Sequence, residues 1–136
     1  MAFEDDIVVR LVAKSVPVAS IFVSSKSVVP SGPTAVGPYW SLTVTSGTSP
    51  LRTQNSVAVP AYVRPGMQVF TRASTFAAAM IAARLAYDAL VGVRNEFING
   101  VYYRELNPTQ EPFDVGLDGQ GRAYVAFNIT GVKRPT

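Results

Sequence analysis

Apolar and polar positions along this chain follow two periods, and the longest 3.6-residue pattern lies at residues 74–91, STFAAAMIAARLAYDALV. Seven alanines give that stretch high helix propensity, Ser74 is placed to cap its first turn, and Gly92 to stop it. At 100° per residue Phe76, Ala79, Met80, Ala83, Tyr87 and Leu90 share one face. The opposite face, Ala78, Ile81, Ala82, Leu85 and Ala89, is nearly as apolar, and Arg84 with Asp88 forms a narrow i,i+4 polar strip. A helix with two apolar faces calls for two partners, the second being the chain's own loops or another subunit.

A shorter helix is expected at 4–14, with three acids in its first turn, Ile7, Val8, Leu11 and Val12 as its buried stripe, and Pro17 beyond its end. Residues 19–24 have strand composition, and 25–38, rich in proline and glycine, read as a connecting loop. Residues 39–45 alternate cleanly, Trp40, Leu42 and Val44 toward the core and Tyr39, Ser41, Thr43 and Thr45 away from it. Residues 67–73 alternate again, Met67, Val69 and Thr71 against Gln68, Phe70 and Arg72. Between them, residues 46–65 lack a clear element and read as an extended loop or arm, part of which (57–63) continues as strand.

After the central helix, Asn99-Gly100 between apolar runs is a strong hairpin signal joining 96–98 to 101–103, with 104–111 continuing the second strand. A strand at 113–117, a turn at 118–121 and a long final strand at 122–132 complete the chain. The expected architecture is a single α+β domain over 1–136, a largely antiparallel sheet carrying two helices on one face, in the order α-β-β-β-α-β-β-β.

Composition narrows the function. The 136 residues are 48% hydrophobic and only 15% charged, so some apolar surface is expected to be covered by partners. Twelve Lys and Arg against nine Asp and Glu give a net +3 that looks scattered along the sequence. Neither cysteine nor histidine occurs, which removes disulfides, thiol nucleophiles, histidine triads and nearly all zinc chemistry. No apolar run spans a membrane, and the acidic start Phe3-Glu4-Asp5-Asp6 is unlike a signal peptide, so a cytoplasm-like compartment is expected.

Candidate chemistry is sparse. Gly119-Gln120-Gly121 reads as a hairpin turn, since no helix follows it to make a phosphate cradle. Glu111, Asp114 and Asp118 are the one carboxylate group worth weighing for Mg²⁺ or acid–base work, and they straddle a strand and its turn. Asn128-Ile129-Thr130 matches a glycosylation sequon in a chain with no sign of secretion. Tyr39, Trp40, Tyr102, Tyr103 and Tyr124 would make a base-stacking platform if arginines shared their face, and only Arg104 and Arg122 qualify from spacing. No catalytic residue, metal ligand set or cofactor site emerges, and no enzyme is expected.

The ordered set of elements resembles the tail terminator proteins of long-tailed bacteriophages, a group that includes sequences labelled phage minor capsid proteins. The likeness is carried by the strand ending Arg72-Ala73-Ser74 and the alanine-rich helix closing Ala86-Tyr87-Asp88-Ala89-Leu90. It continues through the hairpin Ile98-Asn99-Gly100-Val101-Tyr102-Tyr103, then Gln110-Glu111-Pro112-Phe113-Asp114-Val115-Gly116-Leu117-Asp118, and ends with the strand led by Arg122.

The resemblance implies a virion protein of the tail and neck, assembled in the host cytoplasm as a hexameric ring. Such a ring caps the tail tube, stops its polymerisation, and offers a surface to the head-completion or connector protein, while DNA passes its lumen without sequence-specific binding. Tail tube protein, connector and further copies of the chain are then the partners, with no membrane. Leu51, Arg52, Gln54, Asn55 and Arg64 in the arm and Ile81 and Leu85 on the helix are the candidate subunit and tube contacts. A head-completion or tube protein is the nearest alternative, and a small nucleic-acid-binding module, suggested by a pI of about 9.4, the alternative of a different class.

Overall fold

Thr75, with extended backbone, accepts a hydrogen bond on its hydroxyl from the Ala78 N–H at 3.1 Å and starts the central helix one residue later than expected. The computed structural model describes residues 3–27, 29–30, 37–51 and 62–134, with 46–51 described as backbone. Thr75→Ala is expected to cost about 1 kcal/mol, read as a lower urea midpoint at unchanged slope.

The elements are α1 (Phe3–Ala13), a 3₁₀ turn (Val18–Ser20), β1 (Ile21–Val23), β2 (Tyr39–Leu51) and β3 (Tyr62–Ala73). They continue with α2 (Phe76–Leu90), β4 (Arg94–Ile98), β5 (Val101–Pro108), β6 (Phe113–Leu117) and β7 (Ala123–Lys133). Four strands follow α2, since the two arms of the expected Asn99-Gly100 hairpin, 94–98 and 101–108, are separate strands where the expected order counted the hairpin once; both turn residues have positive φ. The sheet runs β1-β2-β3-β7-β5-β4. β7 pairs through its second half with β5 and through its first half with β6, and among the described residues only β1 against β2 is parallel.

Both helices lie on one face. α2 packs on β7, β3 and β5, and α1 on α2, β2 and β4. The core between the layers holds Ile7, Leu11, Trp40, Leu42, Met67, Val69, Leu90, Tyr103, Phe127 and Ile129, all nearly without exposure. Trp40 donates its indole N–H to the Ala82 carbonyl at 2.9 Å, tying β2 to the middle of α2.

The face that α2 buries is neither of the two read from its sequence. Ala79, Ala82, Ala83, Ala86, Ala89 and Leu90 are buried, so the alanines themselves meet the sheet, with Ala79 and Ala83 against Ala73, Ala123 and Val125. Alanine lets the helix backbone approach the strands closely, and the larger residues are displaced to the flanks. Phe76 is half exposed, while Tyr87 meets Phe127 edge-on at 5.6 Å. Arg84 reaches Glu111 at 3.6 Å, a partner that sequence spacing did not offer.

α1 is similarly rotated. Its buried residues are Phe3, Asp6, Ile7 and Leu11, whereas Val12 is 42% exposed. β2 and β3 extend into residues 46–51 and 62–65 of the expected arm, with register shifts after Thr45 and Thr48; of the strand expected at 57–63, residues 62–63 belong to β3 and 57–61 lie outside the described residues. Pro65 falls where the β3–β7 register is interrupted, between Val63 and Gly66, and its missing N–H removes no ladder bond there. Val44, expected in the core, is 49% exposed and borders an open groove with Glu4, Val23 and Leu42.

Candidate assembly surface

Three surfaces have residues to offer a partner: the outer stripe of α2, the β6 edge, and the sheet face that carries no helix. On α2, Ile81 and Leu85 point away from the sheet, 73% and 39% exposed. Leu85 also borders a groove of about 330 Å³ shared with Arg10, Lys14, Asp88 and Val91, where α1 crosses α2. α1 is fastened here by Arg10, whose guanidinium donates to the Ala89 carbonyl at 2.9 Å and to Glu96 at 3.2 Å.

Among the described residues β6 pairs with β7 alone, which leaves its other edge without a strand partner there. Its Phe113, Val115 and Leu117 are 38%, 49% and 71% exposed. A bulge at Val115 and a positive φ at Gly116 break the register, a feature that discourages indiscriminate edge pairing. The three carboxylates weighed as a metal group are spent separately. Glu111 pairs with Arg84, Asp114 accepts from the Gly116 N–H at 2.9 Å, and Asp118 closes the β6–β7 turn. Burial works to raise the Asp118 pKa, but the N–H groups of Arg122 and Gln120 and the Arg122 guanidinium at 2.7 Å outweigh it and hold the carboxyl below its usual value. Arg122 is therefore a turn clamp, 7% exposed, rather than part of an aromatic platform.

The helix-free face divides the aromatics that composition had grouped. Trp40 and Tyr103 point into the core, while register with their neighbours puts Tyr39, Tyr102 and Tyr124 on the open side. At one end a cavity of about 310 Å³ is lined by Val29, Tyr39, Ser41, Thr43, Phe70, Arg72 and Tyr124. Arg72 is buried there, bonded to the Pro30 carbonyl with its guanidinium 5.2 Å from the Tyr39 ring. Gly37 closes this end, since a Cβ at its φ of +86° would stand 2.6 Å from the Arg72 carbonyl oxygen. At the other end Arg104 lies over Tyr62 at 5.9 Å and Arg134 over Tyr102 at 4.8 Å, with Phe97, 71% exposed, beside Tyr102.

Of the contact residues expected from sequence, Ile81 and Leu85 share the α2 stripe and Arg64 lies on the open sheet face. Leu51 ends β2, and Arg52, Gln54 and Asn55 lie outside the described residues. The structure does not bring the α2 stripe and Arg64 together, since they are on opposite sides of the sheet.

A family model described as bacteriophage tail terminator protein matches residues 30–133. The chain belongs to that family. The match takes in every strand except β1, together with α2. No curated protein sequence matches the chain. A chain in the virion of a native gene transfer agent particle shares the fold, with a TM-score of 0.71 at 17% identity, over 98% of this chain and 96% of that one. This tail terminator family member thus has the family and the fold of a structural virion protein.

Proposed function

We propose that the protein forms a ring, hexameric as the family resemblance implies, that caps the finished tail tube, ends its polymerisation and presents the surface to which the head joins. The family match over residues 30–133 carries this reading. The surfaces support it: a closed ring of identical subunits uses two different patches on each subunit. The α2 stripe of Ile81 and Leu85 and the β6 edge of Val115 and Leu117 are two separate apolar patches. The arm expected around 46–65, with Leu51, Arg52, Gln54, Asn55 and Arg64, is assigned to tube or neighbouring-subunit contact.

Deleting the gene in the parent phage and imaging the particles tests the reading. Overlong or irregular tails beside filled, unattached heads are the expected result. Tails of normal length beside unjoined heads would move the protein to the head side of the joint, and intact infectious particles would overturn a structural role. Complementation refines the test. Ile81→Asp with Leu85→Asp changes only exposed positions, so the protein is expected to fold but to leave tails uncapped, seen as a loss of infectious titre by at least tenfold, the factor produced by about 1.4 kcal/mol of lost association.

A further inference from the structure

We propose that the arginine-bearing end of the helix-free sheet face binds the phosphodiester backbone of duplex DNA without regard to base sequence. This rests on the sheet's own geometry and not on which joint of the tail the protein occupies. The net charge that looks scattered along the sequence is segregated by the fold. Among the described residues the open face carries Arg64, Arg72, Arg94, Arg104 and Arg134 against Glu105 alone, a net +4. The remaining described residues hold six basic and eight acidic side chains, a net −2.

Arg72 is buried at the far end, so the accessible charge is concentrated where β3, β7, β5 and β4 meet. Arg104 and Arg134 are exposed there, and Arg94 forms an ion pair with Glu105 at 2.9 Å. The Arg134 guanidinium lies over the Tyr102 ring at 4.8 Å, and that of Arg104 stands 5.9 Å from the Tyr62 ring centre. Rings capped in this way are poor platforms for unstacked bases, which argues against single-strand binding. The same stacking holds two planar, multi-donor cations against the sheet, where they suit phosphate oxygens. Asn107 lies on the open face beside them and adds an uncharged polar side chain, the kind of contact that positions a duplex without reading its bases. Duplex DNA, with a charge about every 1.7 Å, engages several clustered arginines at once, whereas an acidic protein must match them one by one.

The test is fluorescence anisotropy of a short mixed-sequence duplex with the full chain at rising salt. Three arginine–phosphate contacts predict a log–log slope of about −3, a loss of about 60-fold in affinity between 50 and 200 mM salt. Arg104→Gln with Arg134→Gln, both at exposed positions, is expected to flatten the slope to about −1, about fourfold over the same range. Lys14→Gln with Arg84→Gln removes equal charge from the helix side and is expected to leave the slope near −3, within about half a unit. Absence of salt-dependent binding, equal losses in the two pairs, or an unchanged slope in the first pair would overturn the proposal. Displacement of the duplex by polyglutamate at equal charge concentration would overturn it in favour of an acidic protein partner.

Discussion

Replacing Asp6 by alanine is expected to lower the unfolding free energy by about 3–5 kcal/mol. Asp6 is completely buried on α1. Its carboxylate accepts from the Tyr103 hydroxyl at 2.5 Å and from the Asn99 side-chain amide at 3.1 Å, and faces the Lys133 ammonium at 3.9 Å. Removing it strips the buried lysine of the carboxylate that faces it and two donors of their acceptor, and the desolvation already spent is no longer offset. Asp6→Ala with Lys133→Met is expected to recover only the part of the loss owed to the stranded lysine, because the Tyr103 hydroxyl and the Asn99 amide still lack their acceptor. Urea midpoints at constant slope for the two single variants and the double variant measure the coupling.

The same cluster predicts an alkaline limit. Burial, and then the hydrogen bond to Asp6 and its charge, push the Tyr103 hydroxyl well above its ordinary pKa of 10.0. The folded protein keeps the proton at a pH where the unfolded chain has released it. This contribution is therefore fully present below pH 10 and is lost as pH rises past it. Tyr103→Phe is expected to be less stable at neutral pH by about 1–3 kcal/mol and to lack this part of the decline.

Trp40→Ala is expected to cost about 3–5 kcal/mol. The ring is 2% exposed at the junction of β2 and α2, and the alanines around it have no side-chain length with which to refill the space. Its N–H bond to the Ala82 carbonyl also fixes how α2 lies across the sheet. Trp40→Phe keeps most of the volume and is expected to lose about 1–2 kcal/mol, so the two variants separate packing from the hydrogen bond. A loss under about 1 kcal/mol for the alanine variant would mean that the helix settles into the space.

Much of the architecture was legible because it depends on neighbours in sequence. The period-2 alternation at 39–45 and 67–73 marks strands wherever it is read, and Asn99-Gly100 specifies a tight hairpin through the positive φ that both residues tolerate. The alanine run marks a helix through backbone propensity alone. The family, too, was visible in the order of these elements, and the match over residues 30–133 bears it out.

The rest was decided by tertiary structure. Which stripe of α2 is buried depends on how close the sheet comes, and a stripe of alanines has no hydrophobic contrast from which to read it. Asp6 looked like one of three solvated acids at a helix start, because its partners Asn99, Tyr103 and Lys133 lie some hundred residues away. The strand ends at 46–51 and 62–65 were hard to read because the β2–β3 register shifts after Thr45 and Thr48, which breaks the period-2 pattern. Charge follows the same logic. Sequence determined the count of arginines, but only strand register placed Arg64, Arg104 and Arg134 on one face, because a side chain's side of a sheet is set by the pairing of its whole strand.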